Sequence, residues 1–291
     1  MLNIILINYN STDDTINCVN SIIDSNSFME IKIQIFDNNS EEQEKNKLEF
    51  FVNDKKQRLN EFTNDIEVFF SNENLGFAYG NNYFMKKANQ DDYIWILNND
   101  TLVNSALIEA ISKNLPEKKE VLHFDCHTFN DEFHDSGLHY VNLLTGQSKM
   151  KKTNKYDFEY VCGASFIIQK TDSMPLFDES YFLYYEDCDY GMLLNQNGYN
   201  YKKLENVHFL HKIGGSGEKQ KKKINLIQLR SQVLFMKRYS TNYFIYLLIK
   251  CVILVFRRYF IPLKKIVYYN KIIKIDSSLM DINYLSIFSV I

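Results

Sequence analysis

Between Phe177 and Tyr190 the chain sets five carboxylates, Asp178, Glu179, Glu186, Asp187 and Asp189, among Phe177, Tyr181, Phe182, Tyr184, Tyr185 and Tyr190. Aromatic side chains draw a segment inward, whereas charged ones resist burial unless paired, so Glu186, Asp187 and Asp189 are expected to line a cleft. A cleft carboxylate within reach of a hydroxyl group is a candidate general base. The same residues also suit the first turn of a helix from Glu186 to Asn197, where acidic groups meet the positive end of the helix dipole. Both readings stand at this level.

Such groups need a scaffold to aim them. Residues 2–7 are a short apolar run ending in Asn8-Tyr9-Asn10-Ser11, and the spacing predicts an amphipathic helix over about 13–25. Residues 31–36 alternate and close on Asp37-Asn38-Asn39-Ser40, before a charged helix toward Asn60. Residues 66–70 lead into Asn74-Leu75-Gly76-Phe77-Ala78-Tyr79-Gly80-Asn81-Asn82, and residues 93–97 into Asn98-Asn99-Asp100. Each of these strand ends delivers a polar cluster. In an open parallel α/β sheet the carboxyl ends of the strands share one edge, and ligands bind there. Asp37, the loop carrying Asn74 and Asp100 are therefore expected to converge on one pocket. Gly76 and Gly80 would let backbone approach a ligand at a helix start near Tyr79, or else relieve helix–sheet packing.

The succession of these blocks with Cys162-Gly163-Ala164 and the 177–189 segment resembles the family 2 glycosyltransferases, in particular their rhamnosyltransferase-like branch, from about residue 3 to residue 240. That resemblance implies α/β class and a GT-A fold, with a Rossmann-like nucleotide-binding half, a mixed-sheet acceptor half and a C-terminal helical extension. It implies an inverting hexosyl or deoxyhexosyl transfer from a UDP- or dTDP-linked sugar to a glycan or lipid-linked acceptor, as in bacterial capsule or O-antigen synthesis. Nucleotide-sugar binding falls to Asn8, Tyr9, Asn10, Asp37, Asn74, Gly76, Gly80, Asn81, Asn98, Asn99 and Gly163, with Asp37 reading the base. Asp100, last of its triplet, and His211 are the implied ligands of Mg²⁺ or Mn²⁺, an ion that would offset charge on a diphosphate leaving group. The triplet carries one carboxylate, and Asn99 stands where proline or another residue is common in the family. Asp187 takes the base role with Glu186 beside it, while Asp189 orients acceptor or helix.

The residues themselves leave simpler alternatives in view. Asn98-Asn99-Asp100 could be a plain turn, and Asp37 a strand-end cap. His211 has a neighbour in His208. Strict alternation would put residues 207, 209 and 211 on one face, and His211 directly precedes the Gly-rich stretch 212–217, which is either a loop that closes over diphosphate or a linker.

At 291 residues the chain can bury a large core. Its five cysteines are odd in number and lack C-x-x-C spacing, so neither a disulfide framework nor a zinc site is expected, which fits a reducing cytoplasm. The opening apolar run is too short for a cleavable signal. The net charge of −3 hides an asymmetry. Residues 1–218 hold 34 acidic and 19 basic side chains, or −15, whereas residues 219–291 hold 14 basic and 2 acidic, or +12. Basic residues there interleave with apolar runs, which predicts a body over 1–240 and a segment over 241–291 lying peripherally on the anionic inner face of the cell membrane. A docked core or homo-oligomer helix and a true span are the other readings of that segment. Nucleic acid is excluded as a partner by the acidic body and the lack of any binding motif. A nucleotidyltransferase would show a Gly-rich basic loop after the first strand, and Asn8-Tyr9-Asn10-Ser11 is not one. A non-catalytic sugar-nucleotide-binding or scaffold member of the fold is the alternative function.

Overall fold

In a computed structural model the chain is described over residues 1–59, 61–212, 221–248 and 250. The whole Gly-rich stretch after Lys212, and the basic segment from residue 251 onward, lie outside these residues. The elements are β1 (Leu2–Asn8), α1 (Thr12–Ser25), β2 (Ile31–Asp37), α2 (Glu42–Lys56), β3 (Thr63–Phe70), α3 (Gly76–Met85), β4 (Tyr93–Leu97), β5 (Thr101–Leu102), α4 (Ser105–Lys113) and β6 (Glu120–Thr128). They continue with β7 (Phe133–Asp135), β8 (Leu138–Asn142), β9 (Ser148–Lys149), β10 (Asp157–Val161), β11 (Ser165–Gln169), α5 (Glu186–Gln196), β12 (Asn200–His211) and α6 (Lys221–Tyr239).

The main sheet runs β3-β2-β1-β4-β11-β6-β12-β5, with β7 hydrogen-bonded to β6. Strands β3, β2, β1 and β4 are parallel, whereas β11 enters antiparallel between β4 and β6. The near-continuous apolar sequence of β1 follows from burial on both faces. On one face Ile4, Leu6, Trp95 and Leu97 pack with Val19 and Ile22 of α1 and Leu107 of α4. On the other, Ile5, Ile94 and Ile96 meet Ala78 and Phe84 of α3 and Tyr190 and Leu194 of α5. A second sheet, β10-β8-β9, packs with α5 and α6 around Val141, Tyr160, Tyr185, Phe235 and Tyr246. Residues beyond α6 thus dock on the body as far as Tyr246, which is fully buried.

Because β1 has β2 on one side and β4 on the other, the chain reverses its winding there, and the carboxyl ends of these strands open a crevice. Two local departures from the sequence pattern shape that edge. Helix α3 begins at Gly76, not near Tyr79, because a distant carbonyl caps it: Phe77 N–H donates to Phe182 O at 3.0 Å. Strand β12 does not alternate strictly, since its register against β6 shifts between Lys203 and His208 and Asn206 takes a φ of 63°. No helix among the described residues is long and apolar enough to cross a membrane.

Candidate active site

The ends of β1 and β2 are tied together by polar side chains. Asp37 is fully buried, and its carboxylate accepts from Asn8 Nδ2 (2.7 Å), Ser40 Oγ (2.6 Å) and Ser40 N–H (2.9 Å). Asn10, in left-handed conformation at φ 50°, donates its N–H to Ser40 Oγ and accepts from Glu41 N–H. Tyr9 stays half exposed beside them. Asn38 accepts from Leu75 N–H at 2.7 Å and donates to Gly76 O at 3.1 Å, which hangs the Asn74 loop from the end of β2. In that loop Asn74 Oδ1 accepts from Gly76 N–H.

The two glycines of the loop have different duties. Gly76 has a φ of 85°, and a Cβ there would lie 2.4 Å from Phe182 O, so only glycine lets the 177–185 segment approach so closely. Gly80 faces the sheet, where a Cβ would meet Ile7 at 2.7 Å. Asn81 is buried in α3 with its amide bonded to Phe77 O, and Asn82 ties α3 to Phe177 and Glu179. Gly80 and Asn81 therefore hold α3 in place, while Asn74 and Gly76 border the edge.

At the end of β4, Asn99 turns back and donates to Ser11 Oγ and Thr15 Oγ1, both at 2.8 Å, joining this strand end to α1. The Asn98 carbonyl accepts from Thr101 Oγ1 at 2.7 Å. Asp100 faces outward: its Oδ1 lies 3.0 Å from His211 Nε2, delivered by the last residue of β12. Lys212 N–H also donates to Asp100 O. A carboxylate and an imidazole in contact supply an N,O donor pair that fits a first-row divalent ion such as Mn²⁺. A cavity of about 330 Å³ lies beside Asp100, bounded by Asp14, Asn17 and Asp24 of α1 and by Phe129.

The acidic segment meets the same edge through one short turn. Ala164 O accepts Asn98 N–H at 2.8 Å, and the adjacent Gly163 N–H donates to Asp187 Oδ2 at 3.3 Å. A Cβ at Gly163 would sit in ordinary van der Waals contact with Asp187 and Phe77, at 3.5 and 3.7 Å. Glu186, Asp187 and Asp189 occupy the first turn of α5, which is the helix-start reading of this segment. The two residues before them, Tyr184 and Tyr185, both lie in the left-handed region, at φ 65° and 67°. Each such non-glycine residue costs roughly 1–3 kcal/mol, and strain of this kind gathers at functional sites. Tyr185 is pinned by its hydroxyl to Gly146 O and by Gln232 of α6 at 2.7 Å.

Burial pushes the Glu186 carboxyl well above its ordinary range, and the neighbouring Asp187 pushes it further. Its Oε2 is buried without a hydrogen-bond partner among the described residues. Burial also raises Asp187, opposed by the Gly163 N–H, the His139 imidazole and the Cys188 N–H. Of the two, Glu186 is pushed up further, and Asp187 has the backbone N–H groups that favour its charged form. Asp189 points elsewhere: fully buried, it accepts from Arg238 at 3.1 Å, and Arg238 also grips Asp178 at 2.9 Å. It orients α6 against the acidic segment.

Sequence reasoning missed Ser40, Asn38, Phe182 and His139. Ser40 and Asn38 sit in the polar cluster after β2, and their types as hydrogen-bonding turn residues were the available signal. Nothing local in the sequence marks the Phe182 carbonyl or His139.

The family model described as Glycosyl transferase family 2 matches residues 3–174, more than half of the chain. No curated protein matches it. Among solved structures, the mannosyltransferase PcManGT from Pyrobaculum calidifontis, in complex with GDP-Man and Mn²⁺, superposes with a TM-score of 0.56 at 12% identity, covering 81% of this chain and 64% of that one. GalNAc-T7 with UDP, GalNAc and Mn²⁺ gives 0.55 at 14% identity, covering 78% and 48%. S. aureus TarS 1-349 in complex with UDP gives 0.52 at 15% identity, covering 80% and 64%. This chain therefore spans less than two thirds of each of those three. Identities this low establish a shared architecture, the GT-A fold.

Proposed function

This chain belongs to glycosyl transferase family 2, and from that premise we propose that it is an inverting glycosyltransferase of the rhamnosyltransferase-like branch. It would move a hexosyl or deoxyhexosyl group from a UDP- or dTDP-linked donor to a glycan or lipid-linked acceptor of a bacterial surface polysaccharide. One observation carries the reading: the turn Gly163-Ala164 bonds to Asp187 on one side and to the Asn98 triplet strand end on the other, so base and leaving-group site flank one point.

In this reading the acceptor hydroxyl oxygen attacks the anomeric carbon, the bond from that carbon to the diphosphate oxygen breaks, and the hydroxyl proton passes to Asp187. Attack from the face opposite the leaving group inverts the centre. Glu186, beside Asp187 at the start of α5, would help orient the acceptor. Asp100 and His211 would hold a divalent cation, Mn²⁺ or Mg²⁺, which offsets charge on the departing diphosphate. The Mn²⁺ and nucleotides in the complexes of the structural neighbours support that assignment. Asn74, Gly76, Asn98 and Gly163 line the donor site, with Tyr9 and Asn10 at its rim. Asp37 would meet a pyrimidine only by opening a site now closed by Asn8 and Ser40. The basic segment beyond the body would sit on an anionic membrane surface at the cytoplasmic face.

A thermal-shift panel of UDP-, dTDP- and GDP-sugars with and without Mn²⁺ tests the donor, because a cognate ligand stabilises the native state by mass action. One sugar nucleotide should raise Tm, more so with metal, and Asp100→Ala should abolish the metal-dependent part while the protein stays folded. A panel with no stabilising nucleotide would remove the reading.

A further inference from the structure

Among the described residues, one group of metal-ligating side chains lies apart from Asp100, His211 and the acidic segment. His127 near the end of β6 and His208 in β12 stack with ring centroids 3.8 Å apart and planes 9° from parallel. Both reach the same atom: His127 Nδ1 and His208 Nε2 each lie 2.9 Å from Asp131 Oδ1. One ligand atom from each residue falls within 4.8 Å of the others.

The arrangement is built by backbone on all sides. Asp131 is solvent-exposed yet fixed, at φ 60° in a turn closed by Asp131 N–H to Thr128 O (2.9 Å) and Thr128 N–H to Glu132 O (2.8 Å). The shifted register before His208 sets that residue against Asp125 and brings its ring onto His127 from the adjoining parallel strand. Phe133 covers the outer side of His127 edge-on at 5.9 Å. Two imidazoles face to face repel if both are protonated, and a single carboxylate balances only one positive charge. Two neutral imidazoles and a carboxylate, by contrast, are a donor set for borderline divalent ions such as Zn²⁺, Co²⁺ or Ni²⁺, with a position left for water, and a poor one for Mg²⁺ or Ca²⁺.

We propose that His127, Asp131 and His208 form a second metal site, for a zinc-class divalent ion, separate from Asp100 and His211. Such an ion clips the end of β6 to β12, three residues before His211 leaves the sheet for the first site.

The test uses the full chain, stripped by chelator and titrated with Co²⁺ while its visible d–d absorption is followed, then challenged with Zn²⁺. The Asp100→Ala protein should still bind one Co²⁺ with tetrahedral-type bands, displaced by Zn²⁺. The double variant His127→Ala/His208→Ala should lose that signal but keep Mn²⁺-dependent donor stabilisation. Asp131→Asn, an exposed change that keeps shape and removes charge, should weaken Co²⁺ binding at least tenfold with unchanged circular dichroism, and it stands in if the double variant fails to fold. Absence of Co²⁺ binding in Asp100→Ala, or undiminished binding in Asp131→Asn, overturns the proposal. The readout requires no sugar transfer, so it stands or falls apart from the proposed enzymatic activity.

Discussion

The two sides of the crevice treat their carboxylates in opposite ways. At the ends of β1 and β2 Asp37 is fully buried, and three donors from Asn8 and Ser40 satisfy it. On the other side the buried Glu186 and the half-buried Asp187 follow two left-handed tyrosines, and Glu186 Oε2 has no partner among the described residues. Both regions take carboxyl groups out of water, yet only the first gives back in hydrogen bonds what desolvation costs. A fully bonded carboxylate is scaffold, and its geometry is complete without a ligand. An underbonded one, held in place by backbone strain, is a group kept for a partner that arrives from outside.

The largest effect that would break this contrast is on transfer. Asp187→Asn keeps the volume and the contact with Gly163 but cannot take a proton, so turnover should fall by roughly 10²-fold or more while donor affinity persists. Near-normal turnover would move the base to another group and leave the strain at Tyr184 and Tyr185 without a catalytic reason.

A smaller effect joins the two sides. Gly76→Ala adds a Cβ 2.4 Å from Phe182 O at a positive φ. The cost should be roughly 1–3 kcal/mol in urea unfolding. Because the displaced atom belongs to the segment carrying Asp187, turnover should drop as well. Loss of stability with unchanged turnover would show that the segment is positioned without α3.

The contrast also explains what could be read in the sequence. Strands β1 and β4 were legible as continuous apolar runs and β2 as an alternating one, and the clusters at their ends because Asn and Asp mark a strand's close. Asp100 and His211 were legible as separate residues, but their contact depends on β12 crossing to β5, a pairing that no local pattern encodes. The separate fates of His208 and His211 were hidden for a similar reason, since the register shift before His208 breaks the alternation used to assign faces. The capping of α3 by Phe182 O is a main-chain contact across more than a hundred residues, so side-chain type carries no trace of it. Acidic residues in the first turn of α5 were visible, whereas the strain ahead of them was not, because tyrosine has no preference for a positive φ.

The finest test of the comparison is the pH dependence of stability, with Asp157 as an internal control. Burial alone would raise Asp157, but Asn142, Thr153 and Asn154 all donate to its carboxylate and hold it far below the ordinary 3.8. Glu186 is displaced the other way, above 4.5, by burial and by Asp187. A lowered carboxyl stabilises the fold above its unfolded pKa, and that contribution is lost as pH falls through the folded value. A raised one favours the native state below its unfolded pKa, and the benefit disappears as pH climbs from there through the folded value. Asp157→Asn should therefore lower Tm at pH 7, with the deficit shrinking as the solution is acidified below about pH 4. Glu186→Gln should leave Tm nearly unchanged at pH 4 and raise it progressively toward pH 8, because the native state no longer has to hold or expose a charge beside Asp187. If Glu186→Gln lowers Tm at pH 8, the buried pair is stabilised by contacts of its own, and the acidic segment belongs with Asp37 as scaffold.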